Sequence, residues 1–449
     1  MARLGGGNAS VAVRGSLWVL FGVGSSKAVR ALTTLILARL FLGPREFGLF
    51  ALVTAFLSGV GMLADLGITT SVIRHPRGGE PLFLDTAFLI QAARGIVVSS
   101  AAIALARPFA GFYHQPALLW LVIASVGEVT VRGFTGVSVW TLSRSVQTRD
   151  LAFMTLYGDA AGLIVSLAWA AISPTVWALV AGRLAAAVAY VIASHFWAGT
   201  ALKLRWNAGA ARDLLSFSAG LLASSATFFL VTEGQRLVLA KFATVAELGC
   251  FALAMSLSTL PEQFIGTVVE KVFYPMISRT AAEDVDRAAQ HFRTVRPIVL
   301  ALCCCMAVGF VCCSATITRV VLGARYEAVG WMLPWLGVRG ALMLFTTVAS
   351  YTLFALGFSR YAALGNVTRL VYLAVGLTIA FHWFSFRQAI WVIALGPIFG
   401  YMPLVFGLRK HLRGVLRTEI FCGATLIGVV ILVSGILHLS KPAWERLHP

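Results

Sequence analysis

Six basic residues of this 449-residue chain lie deep inside long apolar segments. They are Lys27, Arg30, Arg94, Arg132, Arg339 and Arg369. A charge near the centre of a bilayer costs at least about 2.5–3.5 kcal/mol, so each of these side chains should face a counter-ion or a watery cavity. Arginine presents a planar fork of donors to phosphate oxygens and stays charged at any physiological pH. The pattern therefore predicts a cationic cleft that receives an anion carrying phosphate.

Acidic residues are rarer in the same segments. Glu128 stands four residues before Arg132, so the two can form an ion pair on one helix face, and Asp159 is the expected counter-ion of Arg183. Protonating a carboxylate would change the repulsion among the cations. We therefore interpret Asp65, Glu128 and Asp159 as candidate sites for a coupled proton or cation.

The composition identifies the medium that surrounds these charges. Hydrophobic residues make up 59% of the chain and charged residues only 12%, which leaves too little polar surface for a soluble globule of this length. A membrane-spanning helix needs about 20 apolar residues, and the sequence predicts thirteen such helices. They cover residues 16–42, 46–73, 82–106, 116–141, 150–172, 175–198, 213–240, 246–276, 293–318, 327–357, 361–384, 388–408 and 418–439.

The basic residues between the predicted helices fix an orientation. With the N-terminus in the cytoplasm, most of them fall in inner loops, among them Arg74, Arg144, Arg205 and Arg296, as the positive-inside rule requires. Basic inner loops face anionic lipid headgroups. The net charge of +18 is thereby explained without a nucleic-acid partner.

Two segments of the chain resemble each other. Residues 37–52 read LARLFLGPREFGLFAL and residues 239–253 read LAKFATVAELGCFAL, which pairs Glu46 with Glu247 and Gly48 with Gly249. Six predicted spans separate the copies, and an even number restores the direction, so we expect parallel repeats. This predicts an N-terminal six-helix lobe over 1–200, a second lobe over 201–410, and an additional transmembrane helix with a tail over 411–449.

The same segments point to a family. Residues 37–67, LARLFLGPREFGLFALVTAFLSGVGMLADLG, resemble the second-helix signature of bacterial polysaccharide flippases, which belong to the multidrug/oligosaccharidyl-lipid/polysaccharide exporter superfamily. Residues 239–279 are similar to the eighth helix of that family and end in its aromatic-proline pattern at Phe273, Tyr274 and Pro275. The resemblance implies an all-α polytopic membrane protein, with two six-helix bundles forming a V around a central cavity.

The resemblance also implies a cargo. It is a polyprenyl-diphosphate-linked oligosaccharide, carried by alternating access from the inner to the outer leaflet of a bacterial inner membrane. The deep cations would neutralise the diphosphate, and Gln91, Tyr157, Trp140 and Asn366 are candidates for contacts with the sugars. The implied partners are membrane lipids and, in O-antigen or exopolysaccharide synthesis, a polysaccharide polymerase and its export machinery.

Two alternatives remain open at this point. A cation-coupled multidrug exporter of the same fold would favour an acidic or aromatic cavity, and the excess of deep Arg and Lys argues against it. A membrane glycosyltransferase, polymerase or ligase would need a large outer loop, whereas every predicted outer loop is short. The chain has no Gly-rich loop ending in Gly-Lys-Ser/Thr, so we expect no ATP hydrolysis, no cofactor, no metal and no enzymatic activity, and we expect an ion gradient or membrane potential to drive transport.

Overall fold

A computed structural model describes residues 6–63, 67–145, 147–197, 203–216, 229–383, 386–412 and 414–439. Over these residues the chain forms helices and turns without a β-strand. The first ten helices are α1 (Gly6–Leu40), α2 (Pro44–Leu63), α3 (Ile68–Arg74), α4 (Pro81–Phe112), α5 (Ala117–Gly133), α6 (Ser138–Arg144), α7 (Thr148–Ile172), α8 (Trp177–Phe196), α9 (Ala208–Ser216) and α10 (Gly234–Phe242). The later α-helices are α11 (Val245–Val268), α12 (Tyr274–Glu283), α13 (Val285–Ile317), α14 (Glu327–Ala355), α15 (Arg360–Trp383), α16 (Phe386–His411) and α17 (Val415–Leu439). Val269–Phe273 and Thr318–Leu322 are π-helical, and Ala324–Tyr326 is a 3-10 turn.

The chain divides into two compact units, Met1–Gly249 and Cys250–Pro449. Within the described ranges nine helices are long and apolar enough to cross a membrane, and the bent pair α5–α6 would make a tenth. The count of thirteen spans and the lobe boundaries at 200/201 and 410/411 remain predictions. Residues 217–228 of the predicted helix over 213–240 lie outside the described residues, which include α9 at its start and α10 at its end.

Two of the predicted helices are interrupted. The segment 46–73 forms α2 and α3, and Gly67 just before α3 has φ 58°, a left-handed backbone that favours glycine. The predicted coupling residue Asp65 lies in the gap of the description between 63 and 67. The segment 116–141 forms α5 and α6, whose axes differ by 57°. The sequence predicted each segment as one uninterrupted helix.

Two backbone polar groups at the break between α5 and α6 have hydrogen-bond partners at the end of α8. The Gly136 N–H donates to Ser194 Oγ at 2.8 Å, and His195 Nε2 lies 2.9 Å from the carbonyl oxygen of Phe134. Ser138 Oγ donates in turn to the Ser194 carbonyl. An unsatisfied backbone group in hydrocarbon costs several kcal/mol, so the end of α8 stabilises non-helical backbone inside the unit.

The repeated segments have the same local role in the structure. Glu46 Oε2 accepts the Gly43 N–H at 3.0 Å, and Glu247 Oε2 accepts the Thr244 N–H at 2.8 Å. Each glutamate therefore caps the first turn of its own helix, α2 or α11, from the third helical position. The shared glutamate is explained by this capping geometry.

The repeated glycines lie where the two copies touch. A Cβ atom on Gly48 would overlap the carbonyl oxygen of Val245, and one on Gly249 would overlap the carbonyl oxygen of Pro44. Pro44 and Val245 each stand four residues before their own glycine, so the contact is reciprocal. Backbones this close leave no room for a side chain, which explains why both copies keep glycine.

Arg296 does not face the lipid headgroups, contrary to what its grouping with the inner basic residues predicts. It lies in α13 with its side chain fully buried. Its guanidinium donates to both oxygens of Glu419 on α17, at 2.7 and 2.9 Å. It also donates to the Phe345 carbonyl at 2.8 Å and to the Tyr401 hydroxyl at 2.7 Å. All of these partners are far away along the chain, so the local sequence could not reveal them.

Candidate functional site

The first charged cluster lies in unit 1 and joins α5 to α8. Glu128 Oε1 accepts a hydrogen bond from Arg132 Nε at 3.1 Å, which is the pair that the sequence spacing predicts. Arg183 adds two bonds, from Nε to Oε2 at 2.7 Å and from Nη2 to Oε1 at 2.9 Å. The carboxylate is 8% exposed, whereas the side chains of Arg132 and Arg183 are 42% and 50% exposed. Two guanidiniums thus share one buried carboxylate.

Close helix packing sets the position of this cluster. A Cβ atom on Gly95 of α4 would come within 3.0 Å of the Gly133 Cα of α5, and the reverse distance is 3.1 Å. The glycines are the chain neighbours of Arg94 and Arg132, so the contact brings these two arginines to the same level of the unit. Small residues are what lets transmembrane helices approach this closely.

The second cluster in unit 1 joins α1 to α7. Arg30 Nε donates to Asp159 Oδ1 at 2.9 Å, and Ser26 Oγ donates to Asp159 Oδ2. The Asp159 side chain is 6% exposed and that of Arg30 is 62% exposed. The prediction that Asp159 is the counter-ion of Arg183 is therefore wrong, because Arg183 is bound to Glu128.

The remaining predicted cations of unit 1 are partly buried. Lys27 follows Ser26 on α1, and Arg94 donates from Nη2 to the Gly61 carbonyl of α2 at 3.3 Å. Of the residues predicted from the sequence, Glu128 and Arg132 lie in the first cluster of unit 1 and Asp159 lies in the second.

Unit 2 contains the third cluster, on α11, α14 and α15. Arg339 Nη2 lies 3.2 Å from Glu262 Oε2, and Glu262 interacts electrostatically with both Arg339 and Arg369. Arg369 Nη1 contacts the sulfur of Met343 at 3.0 Å. Within the part of the chain that the structure describes, the buried Nε atoms of Arg339 and Arg369 have no hydrogen-bond partner. Glu262 is thus paired with Arg339 and also lies in the electrostatic field of Arg369.

The four residues suggested for sugar contacts differ in accessibility. Tyr157 and Asn366 are exposed, and Gln91 donates to the Arg132 carbonyl at 3.4 Å beside the first cluster. Trp140 is 2% exposed and its ring nitrogen donates to Thr69 Oγ1 at 3.2 Å. A glycan cannot contact Trp140 in this conformation.

Sequence reasoning missed the role of Arg183 and the pairing of Arg339 with Glu262. The partners in these pairs are 55 and 77 residues apart, so no helical spacing links them. The available signal was electrostatic: an apolar span that carries a lone arginine should pack beside a span that carries an acid.

The helices and charged clusters of this chain indicate a class of protein. Long apolar helices, paired intramembrane charges and a broken span are features of multi-pass membrane transporters. The chain belongs to the family described as polysaccharide biosynthesis protein, which it matches over residues 36–330. This confirms the family that the repeated segments resemble.

Two curated relatives come from bacteria. The chain is 20% identical to the succinoglycan biosynthesis transport protein ExoT of Rhizobium meliloti (strain 1021), over 74% of this chain and 66% of ExoT, just under two thirds of that protein's length. It is 22% identical to the amylovoran biosynthesis protein AmsL of Erwinia amylovora, over 76% of this chain and 90% of AmsL.

Solved structures show the same fold. The lipid II flippase MurJ in an inward closed conformation matches with a TM-score of 0.70 and 11% identity, over 96% of this chain and 100% of that chain. An inward-facing multidrug resistance transporter of the MATE family and MOP superfamily matches with a TM-score of 0.69 and 12% identity, over 93% and 98%. The predicted fold class, an all-helical membrane protein with the two-repeat fold of these transporters, is thereby confirmed.

Proposed function

We propose that this protein is a flippase that moves a polyprenyl-diphosphate-linked oligosaccharide from the inner to the outer leaflet of the bacterial inner membrane. ExoT is described as a transport protein of succinoglycan biosynthesis, and AmsL as a protein of amylovoran biosynthesis. Both descriptions support a role in polysaccharide biosynthesis, and that of ExoT supports transport rather than enzymatic catalysis. In this proposal the N-terminus is cytoplasmic, and the polymerase and export machinery of the polysaccharide act after translocation.

The observation that carries the proposal is the surplus of guanidinium over carboxylate. Arg132 and Arg183 share Glu128, and Arg339 and Arg369 share the field of Glu262. Among the described residues, the first and third clusters therefore each hold one more guanidinium than carboxylate, whereas Arg30 and Asp159 balance each other. A surplus charge at membrane depth is costly unless a ligand or water compensates it, and a diphosphate supplies the missing negative charge.

Exposure supports a watery path at the two charged clusters of unit 1. Arg30, Arg132 and Arg183 are about half exposed in the protein, although they lie on helices whose other surfaces are largely apolar. Half-exposed guanidiniums are stable where they face water or a polar headgroup and unstable where they face hydrocarbon. Their remaining donors are available to phosphate oxygens, while the polyprenyl tail stays in the bilayer.

The direct test uses bacteria that make the polysaccharide and lack this gene. We expect them to accumulate the lipid-linked repeat unit in the inner leaflet and to lose polymer at the surface, and we expect the wild-type gene to restore both. The measurement is labelling of the lipid-linked glycan by a membrane-impermeant reagent in intact cells and in inverted vesicles. Equal labelling at the outer surface with and without the protein would contradict the proposal, and export of cationic drugs instead would favour the exporter alternative.

We propose Asp159 as the site that couples transport to an ion gradient. Two hydrogen bonds, from Ser26 and Arg30, hold its carboxylate, whereas three hold the carboxylate of Glu128. Fewer hydrogen bonds are therefore broken when Asp159 binds a proton or cation. We expect Asp159→Asn to slow export at least tenfold and to remove its sensitivity to an uncoupler, because the amide cannot titrate. Export is measured in vesicles with and without uncoupler, and Asp150→Asn on the same helix is the matched control. Full gradient dependence in Asp159→Asn would assign coupling elsewhere.

A further inference from the structure

A separate pocket lies in unit 2, away from the three charged clusters. Its volume is about 350 Å³. It is formed by α12, the first residue of α13, the end of α14, the turn before α15 and the end of α16, and its lining includes Ser278, Val285, Leu356, Phe358 and His411. None of these residues belongs to the proposed transport site.

The pocket has an apolar surface with two polar groups. Phe358 and His411 are stacked, with ring centroids 3.6 Å apart and planes 19° apart. Tyr361 holds His411 in place through a 3.4 Å contact from its hydroxyl to Nε2. Ser278 Oγ is buried and has no hydrogen-bond partner among the described residues. A buried hydroxyl without a partner is uncommon in folded proteins and indicates a missing ligand or water.

The edge of the pocket is positively charged. The guanidinium carbon of Arg360 lies 5.9 Å from the centre of the Phe358 ring, and both Arg360 and Lys410 act electrostatically on His411. The N-termini of α13 and α15 adjoin the pocket and add partial positive charge. The acids on the neighbouring turn are Glu283, Asp284 and Asp286, and Asp284 is already engaged as the N-cap of α13 and paired with Arg287.

We propose that this pocket binds the headgroup end of an anionic phospholipid from the inner leaflet. In the orientation predicted from the basic loops, this end of unit 2 faces the cytoplasmic headgroups. Arg360, Lys410 and Ser278 then contact the phosphate, and Phe358, Leu356 and Val285 contact the glycerol and the first carbons of a chain. Basic pockets between helix ends on the cytoplasmic side are suited to anionic lipid headgroups.

The test titrates purified full-length protein in detergent with phosphatidylglycerol, phosphatidylcholine or glycerol 3-phosphate. Native mass spectrometry measures the bound ligand, and thermal unfolding measures stabilisation. We expect phosphatidylglycerol to bind and stabilise the protein, and the other two compounds to bind at least tenfold more weakly. Arg360→Ala should weaken phosphatidylglycerol binding about fivefold, and Arg360→Ala with Lys410→Ala about 25-fold, from the usual contribution of each basic residue near a membrane surface.

Arg287→Ala is the matched control, since Arg287 is 71% exposed and its guanidinium is already paired with Asp284, whereas Arg360 and Lys410 act on the pocket residue His411. It should leave binding unchanged. Ala282→Trp should fill the pocket and prevent lipid binding. If that variant does not fold, Arg360→Ala and Lys410→Ala still test the proposal. Equal binding of the two phospholipids, or unchanged binding in the Arg360/Lys410 variant, would overturn the proposal. Equal binding of glycerol 3-phosphate would replace the lipid by a soluble phosphate.

Discussion

Replacing Arg132 and Arg183 together by glutamine is expected to abolish glycan export while leaving the protein in the membrane. Both guanidiniums are bound to Glu128 and present their remaining donors outward. A hydrogen bond to a charged group contributes about 1.5–3 kcal/mol, so losing two such partners of a diphosphate should reduce transport about 100-fold or more. Surface polymer and labelling of the lipid-linked glycan in vesicles measure the loss.

This double variant removes the donors for the diphosphate and also leaves the buried carboxylate of Glu128 unpaired. A third substitution separates these two effects. Adding Glu128→Gln removes every charge of the cluster while keeping side chains of similar shape. If the cluster only ties α5 to α8, the neutral triple variant should export as well as wild type. If its surplus charge binds the diphosphate, the triple variant should export as poorly as the double one. Arg149→Gln at the start of α7 is the matched control and should export normally.

Arg296→Met is expected to cause the largest loss of stability. Arg296 and Glu419 are 0% and 2% exposed, and the guanidinium is packed 3.4 Å from the centre of the Phe345 ring. Removing one partner of a buried ion pair leaves the other charge uncompensated, which costs about 3–5 kcal/mol. Thermal unfolding of the purified protein in one detergent measures the effect.

The companion double variant decides whether the charge or the packing matters. Replacing a buried ion pair by apolar residues of similar volume is often neutral, so Arg296→Met with Glu419→Leu should recover most of the lost stability. Arg287→Ala, which breaks the exposed pair with Asp284, should cost no more than about 1 kcal/mol. A single Arg296→Met variant as stable as wild type would contradict this role. So would a double variant that is no more stable than the single one.

The Arg296–Glu419 pair also gives the C-terminal helix a structural role. Arg296 on α13 binds α14 through Phe345, α16 through Tyr401 and α17 through Glu419. From the sequence, α17 was only an additional helix after the two predicted lobes. In the structure it supplies the counter-ion of a buried arginine in unit 2, so removing α17 should destabilise that unit.

Local rules predicted part of the site. The Glu128–Arg132 pair follows from a spacing of four residues on one helix, where the side chains are neighbours. The capping by Glu46 and Glu247, which the repeat alone did not predict, is equally local, because each glutamate accepts a backbone N–H three residues before it. Such features depend on residues a few positions apart, and the sequence states those positions directly.

The amino-acid sequence by itself determined the helical membrane fold, the family and the presence of costly intramembrane charges, because apolar run length and charge content are local properties. Only the tertiary structure decided the partners: Arg183 with Glu128, Arg30 with Asp159, Arg339 with Glu262 and Arg296 with Glu419. An ion pair needs its two groups within a few ångströms, and that distance depends on which helix faces pack together. Packing between helices distant along the chain is set by side-chain shape and close glycine contacts across the whole unit.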